Sequence, residues 1–165
     1  MNQTGYTKEV MKHFQKPHNY GRLKKYNGLG KVGNIVCGDV LWLYLNVENK
    51  NGKEVIKDVS YETYGCVAAI STSSAISDLA KGKTIENALK INKEQVIKVL
   101  GDLPPIKIHC SLLAIDALSE AIYDYLSMGK KPVPGDLREK HQKIERAKQV
   151  IEERYKKWTE KEKQK

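Results

Sequence analysis

Three thiols hold most of the reactive chemistry available to this chain of 165 residues: Cys37, Cys66 and Cys110. Cys37 opens Cys37-Gly38-Asp39 ahead of a β-branched and aromatic run, and Cys66 closes Tyr64-Gly65-Cys66 behind another. Cys110 ends the stretch Leu103 to Cys110, read as a proline-stiffened extended segment, where an apolar-periodic helix begins. Thiolates bind soft and borderline metals and act as nucleophiles. Two of the three adjoin glycine, which lets backbone come close to a bound group. Two lie near a helix start, where free N-H groups and the macrodipole favour an anion. On that ground Cys110 is expected to ionise more easily than a free cysteine. Asp39 and His109 place an oxygen and a nitrogen donor beside two of the thiols.

Several chemistries share these residues. The intervals of 28 and 43 residues between the cysteines match no zinc-finger spacing. A zinc tetrahedron of three thiolates plus Asp39 or His109 remains open, as does a Cys-His hydrolase with Cys110 as nucleophile. The hydrolase is disfavoured because adjacent residues at a helix start rarely face one another, and no oxyanion constellation is visible. Cys110 could equally be a small buried hydrophobe beside a helix-start histidine. Lys107, cationic and close by, is expected to pair with Asp39 or to face a partner. His13 and His18 read as structural or surface residues, and His141 as solvent-facing.

Composition bounds the setting. The length suits one domain with a real core. The formal charge of +9 is mostly a tail property, since residues 1–128 hold 16 basic against 13 acidic side chains and residues 129–165 hold 13 against 7. Those basic residues alternate with glutamate and include few aromatics, so a solvated helix face is favoured over a nucleic-acid surface. No apolar run reaches the about 18 residues of a membrane span, and the first residues lack the order of a secretory signal. A cytoplasmic protein without membrane or nucleic-acid partners is expected. An odd cysteine count there points to metal or redox chemistry rather than disulfides.

The elements that must position these residues follow from periodicity. Tyr6, Val10, Met11 and Phe14 predict a short helix stopped by Pro17. Lys16 to Gly33, rich in Gly, Pro, Asn and Lys, reads as a loop that could be mobile or contact a partner, with Lys31 to Val36 adding a further strand. Val40 to Val47 and Val55 to Thr63 flank Asn51-Gly52 and predict an antiparallel hairpin. Leu41, Leu43, Leu45 and Val47 form its core face; Val40, Trp42 and Tyr44 form an aromatic face that something must cover. Small residues from Cys66 to Lys81 predict a buried helix closed by Gly82. Short helices are expected over Thr84 to Leu89 and Asn92 to Leu100, the second with a capping box. Leu112, Ile115, Leu118, Ile122 and Tyr125 predict a long amphipathic helix ending near Gly129. A last helix over Asp136 to Lys161 carries Leu137, Ile144, Ile151 and Trp158 in steps of seven, supported by Ala147 and Tyr155. That stripe must pack on the parent domain or form a seam with another chain. The fold class is α+β: a small antiparallel sheet of about three strands with helices packed on one face, plus a long C-terminal helix.

Taken together, Cys37-Gly38-Asp39-Val40, Tyr64-Gly65-Cys66 and Leu103-Pro104-Pro105-Ile106-Lys107-Ile108-His109-Cys110-Ser111 resemble, in order and spacing, three motifs of the IscU/NifU-type iron-sulfur cluster assembly scaffolds. His13-Phe14, Pro17, Asn19 and Gly21 resemble that family too. The resemblance covers about residues 5 to 128, which marks residues 1–128 as a scaffold domain and 129–165 as a basic helical extension. It implies assembly of a 2Fe-2S cluster from iron and persulfide sulfur delivered by a cysteine desulfurase, then transfer to apo-proteins. Such a protein is a carrier rather than an enzyme. It implies Cys37, Cys66 and Cys110 as ligands, with Asp39, His109 or another molecule completing the fourth site, and Cys110 as first persulfide acceptor. A carboxylate or imidazole is harder than a thiolate and holds such iron less firmly, which suits a donor. Leu103, Pro104, Pro105, Ile106 and Lys107 resemble a chaperone-recognised pentapeptide in which Ile106 replaces the usual Val. An Hsp70-type chaperone, a frataxin-like protein, a ferredoxin and a second copy of the chain are further implied partners, and zinc is a candidate occupant of the cluster-free site.

Overall fold

Alternating leucines build the centre of the fold. In the computed structural model, which describes residues 5–34 and 37–162 and all of their side chains except those of 154, 155 and 157–162, the chain runs α1 (Lys8–Gln15), β1 (Gly28–Gly33), β2 (Val40–Lys50), β3 (Lys53–Tyr64), α2 (Val67–Ala80), α3 (Ile85–Ala88), α4 (Lys93–Val99), a 3-10 turn (Pro105–Lys107), α5 (Ile108–Met128) and α6 (Gly135–Glu162). Leu41, Leu43, Leu45 and Val47 are all buried. Asn51 and Gly52 take φ of +53° and +80°, as a tight hairpin turn requires, and set Lys50 opposite Lys53. The sheet is antiparallel in the order β1-β2-β3, with α2 and α5 against it. The expected α+β class and the hairpin are therefore present.

The first strand is where expectation and structure part. It occupies Gly28–Gly33, inside the stretch read as loop; it shares Lys31 to Gly33 with the strand expected over Lys31 to Val36 but begins three residues earlier and ends at Gly33, and Ile35 and Val36 lie outside the described residues. Of its three inward positions, Gly28, Gly30 and Val32, two are glycines because α5 lies directly on them. A Cβ on Gly30 would stand 2.0 Å from the Ala117 carbonyl oxygen, and one on Gly28 would stand 2.5 Å from that of Ala121. The preceding segment is pinned to the open edge of β3: the Gly21 N-H donates to the Tyr61 carbonyl at 2.7 Å, and the Tyr61 N-H to that of Asn19 at 3.2 Å. The aromatic face of β2 is covered at Tyr44, which the Tyr26 ring meets at 5.0 Å, and Lys31 Nζ lies over the Trp42 ring, 5.0 Å from its centroid. Trp42 stays 44% exposed.

Small side chains along α2 let four neighbours, α1, β3, α4 and α5, approach it at once. Its buried hydroxyls are answered locally or by those neighbours: Ser71 donates to the Val10 carbonyl of α1 at 2.8 Å, and Thr72 to the Cys110 carbonyl of α5 at 3.2 Å. Gly82, at φ +81°, follows its end as expected. α4 begins with the full Asn92/Gln95 capping box. His13 is buried and its Nδ1 lies 2.7 Å from Ser74 Oγ, so burial holds its pKa below the usual imidazole range.

The last helix packs on α5 through its first turns. Leu137 is buried, and Ile144 and Ile151 are half-buried; the side chains of Tyr155 and Trp158 lie outside the described residues. Lys140 reaches Asp116 at 3.0 Å. His141 is not solvent-facing: its ring stacks on Tyr123 with centroids 3.7 Å apart, and Nδ1 lies 3.0 Å from a Glu120 carboxylate oxygen. Apolar burial carries the aromatic stack, and the carboxylate answers the ring nitrogen.

Candidate metal centre

The three cysteine motifs meet at one end of the sheet. Between β1 and β2 the Gly38 N-H donates to the Asn34 carbonyl and the Asn34 N-H to the Asp39 carbonyl, each at 2.8 Å, and Gly38 sits at φ +72°. That closed turn presents Cys37 and Asp39 together. Cys66 is the N-cap of α2, and Cys110 stands in the first turn of α5. The Cys66 and Cys110 sulfurs are 3.9 Å apart, and Asp39 Oδ2 lies 3.8 Å from each. His109 Nε2 lies 3.6 Å from Cys110 Sγ. Donor atoms of Asp39, Cys66 and Cys110 all fall within 4.8 Å of one another, as do those of Cys37, Asp39 and His109. Asp39, 4% exposed, is common to both groups. All five expected site residues are brought together.

Gly65 explains how a carboxylate fits there. A Cβ at that position would stand 3.0 Å from Asp39 Cγ and 2.7 Å from Ala69 Cβ. The glycine was expected to admit a bound group, and it admits Asp39 as well. Tyr6 is the residue that sequence reasoning missed: burial pushes its phenol up, and Cys66, Lys107 and Cys110 all act on it. Only the fold carries it there, from the segment ahead of α1.

Three local expectations need correction. Cys110 is 1% exposed, and burial, followed by Cys66 and Asp39, pushes its thiol well up. Desolvation of the charged form outweighs the helix terminus. Lys107 turns to Cys66, with Nζ 3.7 Å from the sulfur, rather than to Asp39. Leu103 to Lys107 is not extended throughout, because Pro105 starts a 3-10 turn that runs into α5, as proline at a first helical position favours. The stated ground against a Cys-His pair also fails, since His109 does reach Cys110. Burial and the raised thiol still deny Cys110 the exposed thiolate that a hydrolase nucleophile needs.

A raised thiol pKa keeps the sulfur protonated at neutral pH, and the thiolate is the reactive form. Cys37 is half-buried and its thiol is also raised by burial, but it is far less enclosed than Cys110. Iodoacetamide at pH 8 should alkylate Cys37 at least about tenfold faster than Cys110 in the folded, metal-free chain, and unfolding should remove the difference. Equal native rates in peptide mapping would contradict the burial argument.

Residues 5–133 match the NifU-like N-terminal domain family. The chain belongs to this family. Among curated members it is 48% identical to iron-sulfur cluster assembly scaffold protein IscU 1 of Archaeoglobus fulgidus, over 76% of this chain and 80% of that one. It is 46% identical to the mitochondrial iron sulfur cluster assembly protein 1 of Debaryomyces hansenii, over 74% and 68%. Two solved structures share the fold. One is a putative scaffold protein for the SUF system from Fervidobacterium islandicum, with a TM-score of 0.58, 19% identity, and coverage of 74% of this chain and 99% of that one. The other is the N-terminal part of a NifU-like protein from Brucella abortus, with a TM-score of 0.55, 18% identity, and coverage of 73% and 94%. All of α6 lies beyond the NifU-like match.

Proposed function

We propose that this chain is a scaffold on which a 2Fe-2S cluster is assembled from iron and desulfurase-derived persulfide sulfur, and from which it passes to apo-proteins. The convergence of three thiols on one buried carboxylate carries the reading, and the names of the relatives support it. Cys37, Cys66 and Cys110 hold the cluster. Three thiolates fall one short of the four a 2Fe-2S unit takes, so Asp39, His109 or a second copy of the chain completes the shell. Asp39 is favoured because it touches two of the sulfurs.

Cys110 accepts sulfur by attacking the outer sulfur of the desulfurase persulfide, which releases the desulfurase thiolate. Its burial means that the site must open for that step. Each transferred sulfur then gains an electron pair to become sulfide, supplied by ferrous iron and a ferredoxin-type donor. The protein is a carrier, not an enzyme that turns over a substrate. Zinc fits the same donors and occupies the site when no cluster is present.

Leu103 to Lys107 serves as a docking peptide for an Hsp70-type chaperone, with a frataxin-like protein as a further partner. Ile106, 76% exposed, supports that role, whereas Leu103 is buried and becomes available only if the segment opens. Residues 1–128 form the scaffold and 129–165 an extension docked on it. No helix among the described residues is long and apolar enough to cross a membrane; we place the chain in the cytoplasm.

Anaerobic incubation with ferrous iron, cysteine and a cysteine desulfurase should give visible sulfur-to-iron absorbance and equal iron and sulfide per cluster. A chain that binds zinc but acquires no sulfide under those conditions would be a structural zinc protein.

A further inference from the structure

Two histidines and an aspartate gather on α2 well away from the cysteines. Asp78 lies about 18 Å along α2 from Cys66 at the helical rise of 1.5 Å per residue. His13 comes from α1, and His18 from the segment that Pro17 stiffens and that Asn19 turns with a φ of +55°. Their rings lie 4.8 Å apart, tilted by 50°. His18 Nδ1 is 2.6 Å from Asp78 Oδ2. One donor atom from each of His13, His18 and Asp78 falls within 4.8 Å of the other two.

We propose that His13, His18 and Asp78 form a second metal site, independent of the cysteine centre, that takes one divalent transition-metal ion of the zinc, cobalt or nickel class. Two imidazoles and a carboxylate are the donors of open zinc and non-haem sites, and water completes the shell. Ligand atoms around such an ion stand about 3.3 Å apart, so the triad must close slightly. It can do so because His18 and Asp78 are 56% and 41% exposed, while His13 is fixed.

The surroundings orient the ligands as outer partners do in metal sites. Ser74 Oγ lies 2.7 Å from His13 Nδ1 and accepts the His18 N-H at 2.9 Å. With Nδ1 donating to Ser74, Nε2 of His13 keeps the lone pair that a metal needs. Asn19 Nδ2 donates to Asp78 Oδ1 at 3.0 Å and to Ser77 Oγ at 2.9 Å, fixing the carboxylate. The ion takes the place of the proton that His18 and Asp78 now share, and it clamps α1 and the following segment to α2. The comparable group of Glu120, His141 and Glu145 is answered differently, because the Lys148 ammonium already sits 2.7 Å from Glu145 and 3.9 Å from Glu120.

Zinc titration of the full, metal-free chain, followed by calorimetry and by histidine ring resonances, tests the site. One equivalent should go to the thiols and a second should shift the His13 and His18 rings. His18→Gln and Asp78→Asn, both at exposed positions, should each weaken that second event at least about tenfold and leave thiolate-held zinc intact, which also reports that the fold survives. The proposal fails if the His13 and His18 resonances stay unmoved at two equivalents. It also fails if neither variant weakens the second event, or if His141→Gln removes it instead.

Discussion

An Asp39→Ala chain is expected to hold its cluster longer and to hand it to an apo-ferredoxin about ten- to a hundredfold more slowly, the range over which one partner in a metal shell acts. Asp39 touches Cys66 and Cys110 and belongs to both donor groups of the site. Its charge also helps to push up the thiols of Cys37 and Cys110. Removing it lowers both thiol pKa values, favours the thiolates and leaves a softer shell, so iron is held more firmly. Asp39→Asn removes the charge and keeps the contact with Gly65, so it should follow the alanine variant. Visible absorbance during transfer reads the rate, and wild-type kinetics in both variants would exclude Asp39 from release.

Gly30→Val should cost the fold about 3 kcal/mol or more in urea denaturation, the upper end of overpacking penalties. Backbone leaves its Cβ no room: besides the Ala117 oxygen, the Ala121 nitrogen would lie 2.7 Å away. Gly33→Val is the control on the same strand. Its Cβ would meet nothing nearer than Val40 Cγ1 at 3.4 Å, so its effect should stay within about 0.5 kcal/mol. Similar losses in the two variants would mean that the α5 contact does not set the glycine requirement.

Gly30 also shows why one strand was illegible. A strand is read from alternating apolar side chains, and β1 has none at two inward positions because a helix backbone fills that space. The hairpin, by contrast, was plain from its leucines and from Asn51-Gly52, whose turn conformation is a local property. α2 and α5 were legible for the same reason, since their small-residue and amphipathic patterns persist over many turns. His141 misled because a single histidine among lysines gives no sign of the tyrosine that stacks on it from α5.

Local order in the sequence marked the residues that the fold gathers at the candidate site: Cys37 with Asp39, Cys66 after Gly65, and His109 with Cys110 each announce themselves within a few positions. The approach of Asp39 to two sulfurs, the turn of Lys107 to Cys66 and the arrival of Tyr6 were decided by tertiary structure. So was the ionisation of Cys110, which a helix start alone would have favoured. Desolvation depends on everything packed around a group, and that is a sum over residues far apart in the chain.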